Sequence, residues 1–130
     1  MASESGAPHG VVCWSELAVH DLGRAQKFYG ETLGWRFDAM PMPDMTYWII
    51  HSGTARVGGM FQMAGPQFEK VPEHWLTYIA VDDVDARLEK AVAAGATIYK
   101  PAFDVPGVGR MAVLAEPGGA VVAWMTPKPL

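Results

Sequence analysis

The chain has 130 residues, half of them hydrophobic, and a formal charge of −4 from 10 Lys and Arg against 14 Asp and Glu. That length supports one compact domain with a real core, and a mildly acidic chain with no basic run excludes a nucleic-acid groove or an anionic membrane surface as its partner. The single cysteine, Cys13, excludes an internal disulfide and suits a reducing cytoplasm. No stretch approaches the ~20 apolar residues of a membrane span, and the expected partners are small molecules or proteins.

Residues 1–10 are short, small and polar, without signal-peptide character, and read as a disordered tail. Residues 11–19 alternate as a strand, and Asp21 caps a helix that carries Leu22, Ala25, Phe28, Tyr29 and Leu33 at helical spacing before Gly34 ends it. Residues 35–37 read as a second strand, closed by 40–44, where two prolines and an aspartate argue against regular structure. Strands follow at 47–51 and 57–63, the latter with Gly58 and Gly59 inside it. Residues 64–73 read as a linker.

The same grammar then returns. A strand at 74–81 leads to a helix capped by Asp83, with Val84, Leu88, Ala91 and Val92 on one face and Gly95 at its end. A strand at 96–99, a long loop at 101–109 that is a candidate lid, a strand at 111–115, a turn at 116–119 and a strand at 121–125 complete it. The spacing from Asp21 to Asp83 nearly equals that from Gly34 to Gly95, which argues for an internal repeat. The fold class expected is α+β: two βαβββ modules, 11–63 and 74–126, paired around a shared cavity with the helices outside, and a short tail at 127–130.

Strand alternation sorts candidate residues. Leu17 and Val19, like Ile79 and Val81, face the following helix; Trp14, Glu16 and Ala18, like Leu76, Tyr78 and Ala80, face the other side. Glu16 is the candidate general acid or base, because a carboxyl on an otherwise apolar strand face is costly to bury unless paired or protonated. Its structural alternative is an ion pair with an arginine such as Arg110. Trp14, Tyr78 and Tyr47 are candidates for an aromatic wall around a ligand, while His51 and His74 lie near strand ends and are either ligand contacts or solvated side chains. His9 and His20 are read as uninvolved. The numerous methionines suit either an adaptable apolar pocket or plain core filling.

The helix segment Asp21-Leu-Gly-Arg-Ala-Gln-Lys-Phe28-Tyr29-Gly30 with Leu33-Gly34-Trp35, the segment Val81-Asp-Asp-Val-Asp-Ala86, and Gly109-Arg-Met-Ala-Val with Glu116-Pro-Gly-Gly-Ala120 resemble the vicinal oxygen chelate superfamily, which includes glyoxalase I, bleomycin-resistance proteins and extradiol dioxygenases. The resemblance spans nearly the whole chain after residue 10. It implies a small-molecule cavity, often a homodimer, and in many members a divalent metal. In metal-dependent relatives His, Glu or Gln ligands sit on the first and last strand of each module, positions that fall here on Trp14, Leu76, Gly59 and Ala123. None of these side chains binds a metal, so no metal and no cofactor are expected. A displaced set of Glu16 and His74 is the alternative, with His51 only a candidate for the third donor.

Three functions remain open on this reading. One is a metal-independent isomerase or lyase with Glu16 as acid or base and Tyr78 or His74 orienting the substrate; the second is a protein that sequesters an aromatic or apolar compound without turnover. A metal-dependent lyase or dioxygenase survives only if the ligand positions are displaced.

Overall fold

A computed structural model of the chain describes residues 7–105 and 108–127. Two compact units divide it, Ser15–Trp75 and the remainder of the described chain. The elements run β1 (Val12–Val19), α1 (Leu22–Leu33), β2 (Arg36–Pro41), β3 (Thr46–Ser52), β4 (Ala55–Gln62), β5 (His74–Ala80), α2 (Val84–Ala93), β6 (Thr97–Val105), β7 (Gly109–Ala115) and β8 (Val121–Pro127). One βαβββ order therefore occurs twice, in an α+β chain of eight strands and two α-helices.

Both helices begin where the aspartates predict. Asp21 Oδ1 accepts from the Arg24 amide at 3.0 Å, and Asp83 Oδ1 accepts from the Ala86 amide at 3.1 Å, each satisfying one of the orphan donors of a first turn. Gly34 ends α1 at φ 71°, a left-handed conformation that costs glycine little, and its amide donates to the Gly30 carbonyl.

In the first unit the strands lie in the order β2-β3-β4-β1, with β1 parallel to β4 and the other pairs antiparallel. Its core forms on the α1 side of this sheet, where Leu17, Val19, Ile50 and Met60 close over Ala25, with Leu22, Tyr29, Trp35, Phe37, Trp48 and Val57 packed against them. The alternation predicted for β1 is thus observed, since Leu17 and Val19 meet the helix and Glu16 takes the opposite face. In the second unit the order is β5-β8-β7-β6, β5 is parallel to β8, and Val81, Val84 and Ala112 form the centre of the core with Ile79, Leu88, Ala102 and Trp124 around it.

Four expectations change. The loop expected at 101–109 is mostly strand: β6 runs to Val105 and pairs with β7, with register shifts after Ile98 and Lys100 that absorb Pro101. The lid reading falls with it, and residues 106–107 lie outside the described residues. Second, β2 extends to Pro41 because it is an edge strand, where a missing amide costs no ladder bond. Third, the linker holds a 3-10 turn at Pro66–Phe68 and is pinned to α1, with Glu73 accepting from the His20 amide and from Arg24, and the Val71 carbonyl accepting from His20 Nε2. Fourth, the end of the expected tail is attached: the Gly10 amide donates to the Ala80 carbonyl at 2.7 Å, and His9 Nδ1 accepts from the Asp82 amide.

Candidate functional site

The face of the first sheet turned away from α1 is built from alternate residues of four strands. Register places Glu16 of β1 beside Gly59 of β4, Gly59 beside Ile49 of β3, and Ile49 beside Asp38 of β2. One row thus runs carboxyl, empty position, isoleucine, carboxyl. Tyr47 lies two residues from Ile49 on the same face, and its hydroxyl donates to Glu16 Oε2 at 2.9 Å. Two strand spacings, about 10 Å, separate β3 from β1, so the phenol spans β4 to make this bond. Gly59 is what lets it pass, since a Cβ there would overlap the hydroxyl end of the Tyr47 ring. The strand glycine therefore clears a path that the Tyr47 ring already fills.

On the same face His51 Nε2 stands 2.9 Å from Asp38 Oδ2. The imidazole is 19% exposed and the carboxylate 66%, so the pair is anchored at its histidine and open to water at its acid. Phe61, next to Gly59 but one, makes an edge-to-face contact with Phe68 of the linker at 6.3 Å between ring centres, giving the polar groups an apolar flank. The face presents a carboxyl with a phenolic donor and, apart from it, a histidine with an acidic partner. It supplies proton acceptors and donors.

Glu16, Tyr47 and His51 are thus brought onto one sheet face. His74 is exposed at the start of β5, where its Nδ1 donates to the Pro72 carbonyl at 2.8 Å. Trp14 and Tyr78 are both buried; Tyr78 stands beside Ala123 in the β5–β8 ladder, the counterpart in the second unit of Glu16 beside Gly59. Arg110, the structural partner considered for Glu16, pairs with Asp85 at 2.8 Å and Asp104 at 3.2 Å. Asp38 lies one residue beyond the strand expected at 35–37; the longer β2 puts it beside Ile49 and diagonal to His51, which pairs with Arg36.

A divalent ion does not fit the inherited positions. Trp14, Leu76, Gly59 and Ala123 offer no donor atom from their side chains, and the space at Gly59 belongs to Tyr47. The displaced set fails too: among the described residues no three His, Cys, Asp or Glu side chains gather closely enough to hold a metal, so Glu16, His74 and His51 do not converge.

Away from this face, charges are paired at helix starts. A hydrogen bond from Arg24 holds the Glu73 carboxyl below the usual range, helped by the His20 amide. Arg87 does the same for Asp82 and Arg110 for Asp85. Burial pushes the half-buried Cys13 thiol up, which keeps it protonated and unreactive. None of the described helices is long and apolar enough to cross a membrane.

The bleomycin resistance protein-like N-terminal family matches residues 12–48. A Mycobacterium bovis protein provisionally named a glyoxylase is 37% identical over 121 residues, covering 92% of this chain and 45% of its own length. An anthracycline biosynthesis protein of Streptomyces peucetius is 28% identical, again with 46% of its length covered. The chain therefore spans about half the length of these relatives. A glyoxylase-like domain-containing protein of Didymella fabae is 32% identical over 90 residues, 67% of this chain and 70% of that protein. Among solved structures, the methylmalonyl-CoA epimerase of Mycobacterium tuberculosis shares the fold at a TM-score of 0.66 and 16% identity, over 95% of this chain and 93% of that one. With the repeated βαβββ order and both aspartate-capped helices, these likenesses place the chain in the glyoxalase and bleomycin-resistance family of the vicinal oxygen chelate superfamily.

Proposed function

We propose that the protein binds a small organic molecule, with an aromatic or apolar body, against the Glu16 face, and that Glu16 moves a proton on it without a metal. The observation that carries this reading is the Tyr47 hydrogen bond to Glu16: a partly buried carboxyl accepts from a neutral phenol, on a face where Ile49 and Phe61 offer apolar contact. In the simplest step a Glu16 oxygen takes a proton from a carbon next to a carbonyl. The C–H electron pair becomes the enolate double bond, the carbonyl oxygen takes the charge, and return of the proton from Glu16 completes an isomerisation or epimerisation. The fold shared with methylmalonyl-CoA epimerases supports proton transfer at carbon as a chemistry that this scaffold hosts. Trp14 and Tyr78 as ligand contacts, by their strand parity, and pairing of the two modules of the chain about one cavity belong to the same proposal, as does the homodimer that the family resemblance implies.

The test is deuterium uptake from D2O by methylmalonyl-CoA and a panel of simple carbonyl compounds, read by mass spectrometry, alongside thermal shifts with each compound. Glu16→Gln keeps the shape, so the expected result is loss of deuterium uptake with the thermal shift retained. Uptake that survives in Glu16→Gln removes Glu16 from the chemistry. The second reading, sequestration without turnover, is favoured by the bleomycin-resistance-like match and by the anthracycline-biosynthesis relative; bleomycin or an anthracycline that raises the melting temperature and emerges unchanged would establish it.

A further inference from the structure

The family resemblance puts a last-strand metal-ligand position of metal-dependent relatives near Gly59. Any Cβ at this position would meet the Tyr47 ring at its hydroxyl, its Cζ and its Cε2. A ligating side chain at residue 59 and a phenol bonded to Glu16 therefore exclude one another sterically. We propose that Tyr47 is the positioning residue of the Glu16 site, its phenol fixing the place of the carboxyl, with Gly59 as the residue that decides between this phenol and a ligating side chain. The inference rests on reading Glu16 as the centre of the site.

A chemical consequence follows for the ligand. A divalent ion offers open positions to two neighbouring oxygens, whereas a phenol offers one hydrogen. When a ligand enters, the Tyr47 hydrogen passes from Glu16 to a single acceptor oxygen, and the carboxyl loses that hydrogen bond at the same moment. The ligand class is thus a molecule with one carbonyl oxygen beside an acidic carbon, its remainder apolar enough to lie along Ile49 and Phe61, rather than a compound with two adjacent oxygens.

The experiment uses the full chain labelled with 13C at glutamate carboxyls, the Glu16 resonance being assigned by its disappearance in Glu16→Gln. Tyr47→Phe removes the donor and keeps the ring, and the expected result is a Glu16 titration midpoint raised by about one pH unit. Gly59→Ala should give the same rise although Tyr47 is intact, because the methyl expels the ring. Melting temperatures supply an independent arm: Gly59→Ala should cost much more with Tyr47 present than in a Tyr47→Ala background. A Glu16 midpoint unmoved by Tyr47→Phe, or a Gly59→Ala cost that is the same in both backgrounds, overturns the inference. Should Gly59→Ala alone fail to fold while Gly59→Ala with Tyr47→Ala folds, that rescue supports the inference, and its absence counts against it. None of these readings needs a ligand, so they stand or fall separately from the deuterium assay.

Discussion

Gly58 and Ser15 meet backbone to backbone: a Cβ on Gly58 would collide with the Ser15 carbonyl oxygen. The close approach at the start of the β1–β4 ladder thus depends on a missing side chain, and the register that sets Glu16 beside Gly59 begins one residue later. Gly58→Ala is expected to destabilise the protein by about 1–3 kcal/mol or more, since backbone rather than a flexible side chain has to move. Urea unfolding checks this; a midpoint within error of the wild type would show that the ladder tolerates the methyl.

The helix caps give a graded pair. Replacing Asp21 or Asp83 by Ala removes the side-chain acceptor of Arg24 or Ala86 and should cost about 0.5–2 kcal/mol each, with Asn recovering most of it. Equal stability of the Ala and Asn variants in thermal melts would remove capping as the cause.

Met60 is fully buried between β1 and α1 in the first core. Met60→Ala is expected to cost about 2–5 kcal/mol by lost burial and residual cavity. Ile50→Val, at an equally buried site, should cost only about 0.5–1.5 kcal/mol. Chemical denaturation separates the two, and a Met60→Ala loss no larger than that of Ile50→Val would contradict the packing described.

Acid should weaken the fold in a defined direction. Glu73, Asp82 and Asp85 are held below their ordinary values by hydrogen bonds from Arg24, Arg87 and Arg110. A carboxyl depressed in the folded state adds stability above its unfolded pKa and loses it as pH falls through the folded one. The melting temperature should therefore drop as pH falls below the ordinary Glu value of 4.5, and the drop should be shallower in Arg87→Met and Arg110→Met. These pairs are exposed, so the effect is small and fades in high salt. A variant with an unchanged acid slope would show that its pair contributes nothing.

Metal content offers a direct check of the donor set. Elemental analysis should find far less than one Zn, Ni, Fe or Mn per chain, and EDTA should leave the melting temperature unchanged. A one-to-one metal content would overturn the assignment.

The elements that local chemistry fixes were legible in the sequence. Asp21, Gly34 and Asp83 mark helix ends by capping, and the alternation of Leu17 and Val19 orients β1 correctly. What composition concealed depended on pairing. Pro101 and Gly109 read as a loop because Pro breaks ladders, yet on an outer strand the lost amide faces no partner. The link from Tyr47 to Glu16 was equally hidden: the residues are 31 apart, and only the register of three strands with a glycine between them brings phenol to carboxyl. Asp38 stayed invisible as a partner of His51 for the same reason, because β2 was read too short to reach it.

The irregular β6 has one more consequence. A long outer strand presents a row of free amides and carbonyls to which any passing extended segment can bond. Pro101 has no amide to offer, and the two register shifts interrupt the regular strand. The margin of the second sheet is thereby a poor template for another chain, so Pro101→Val, which restores an unbroken row, should make concentrated solutions prone to fibrous aggregation even where the folded protein gains stability.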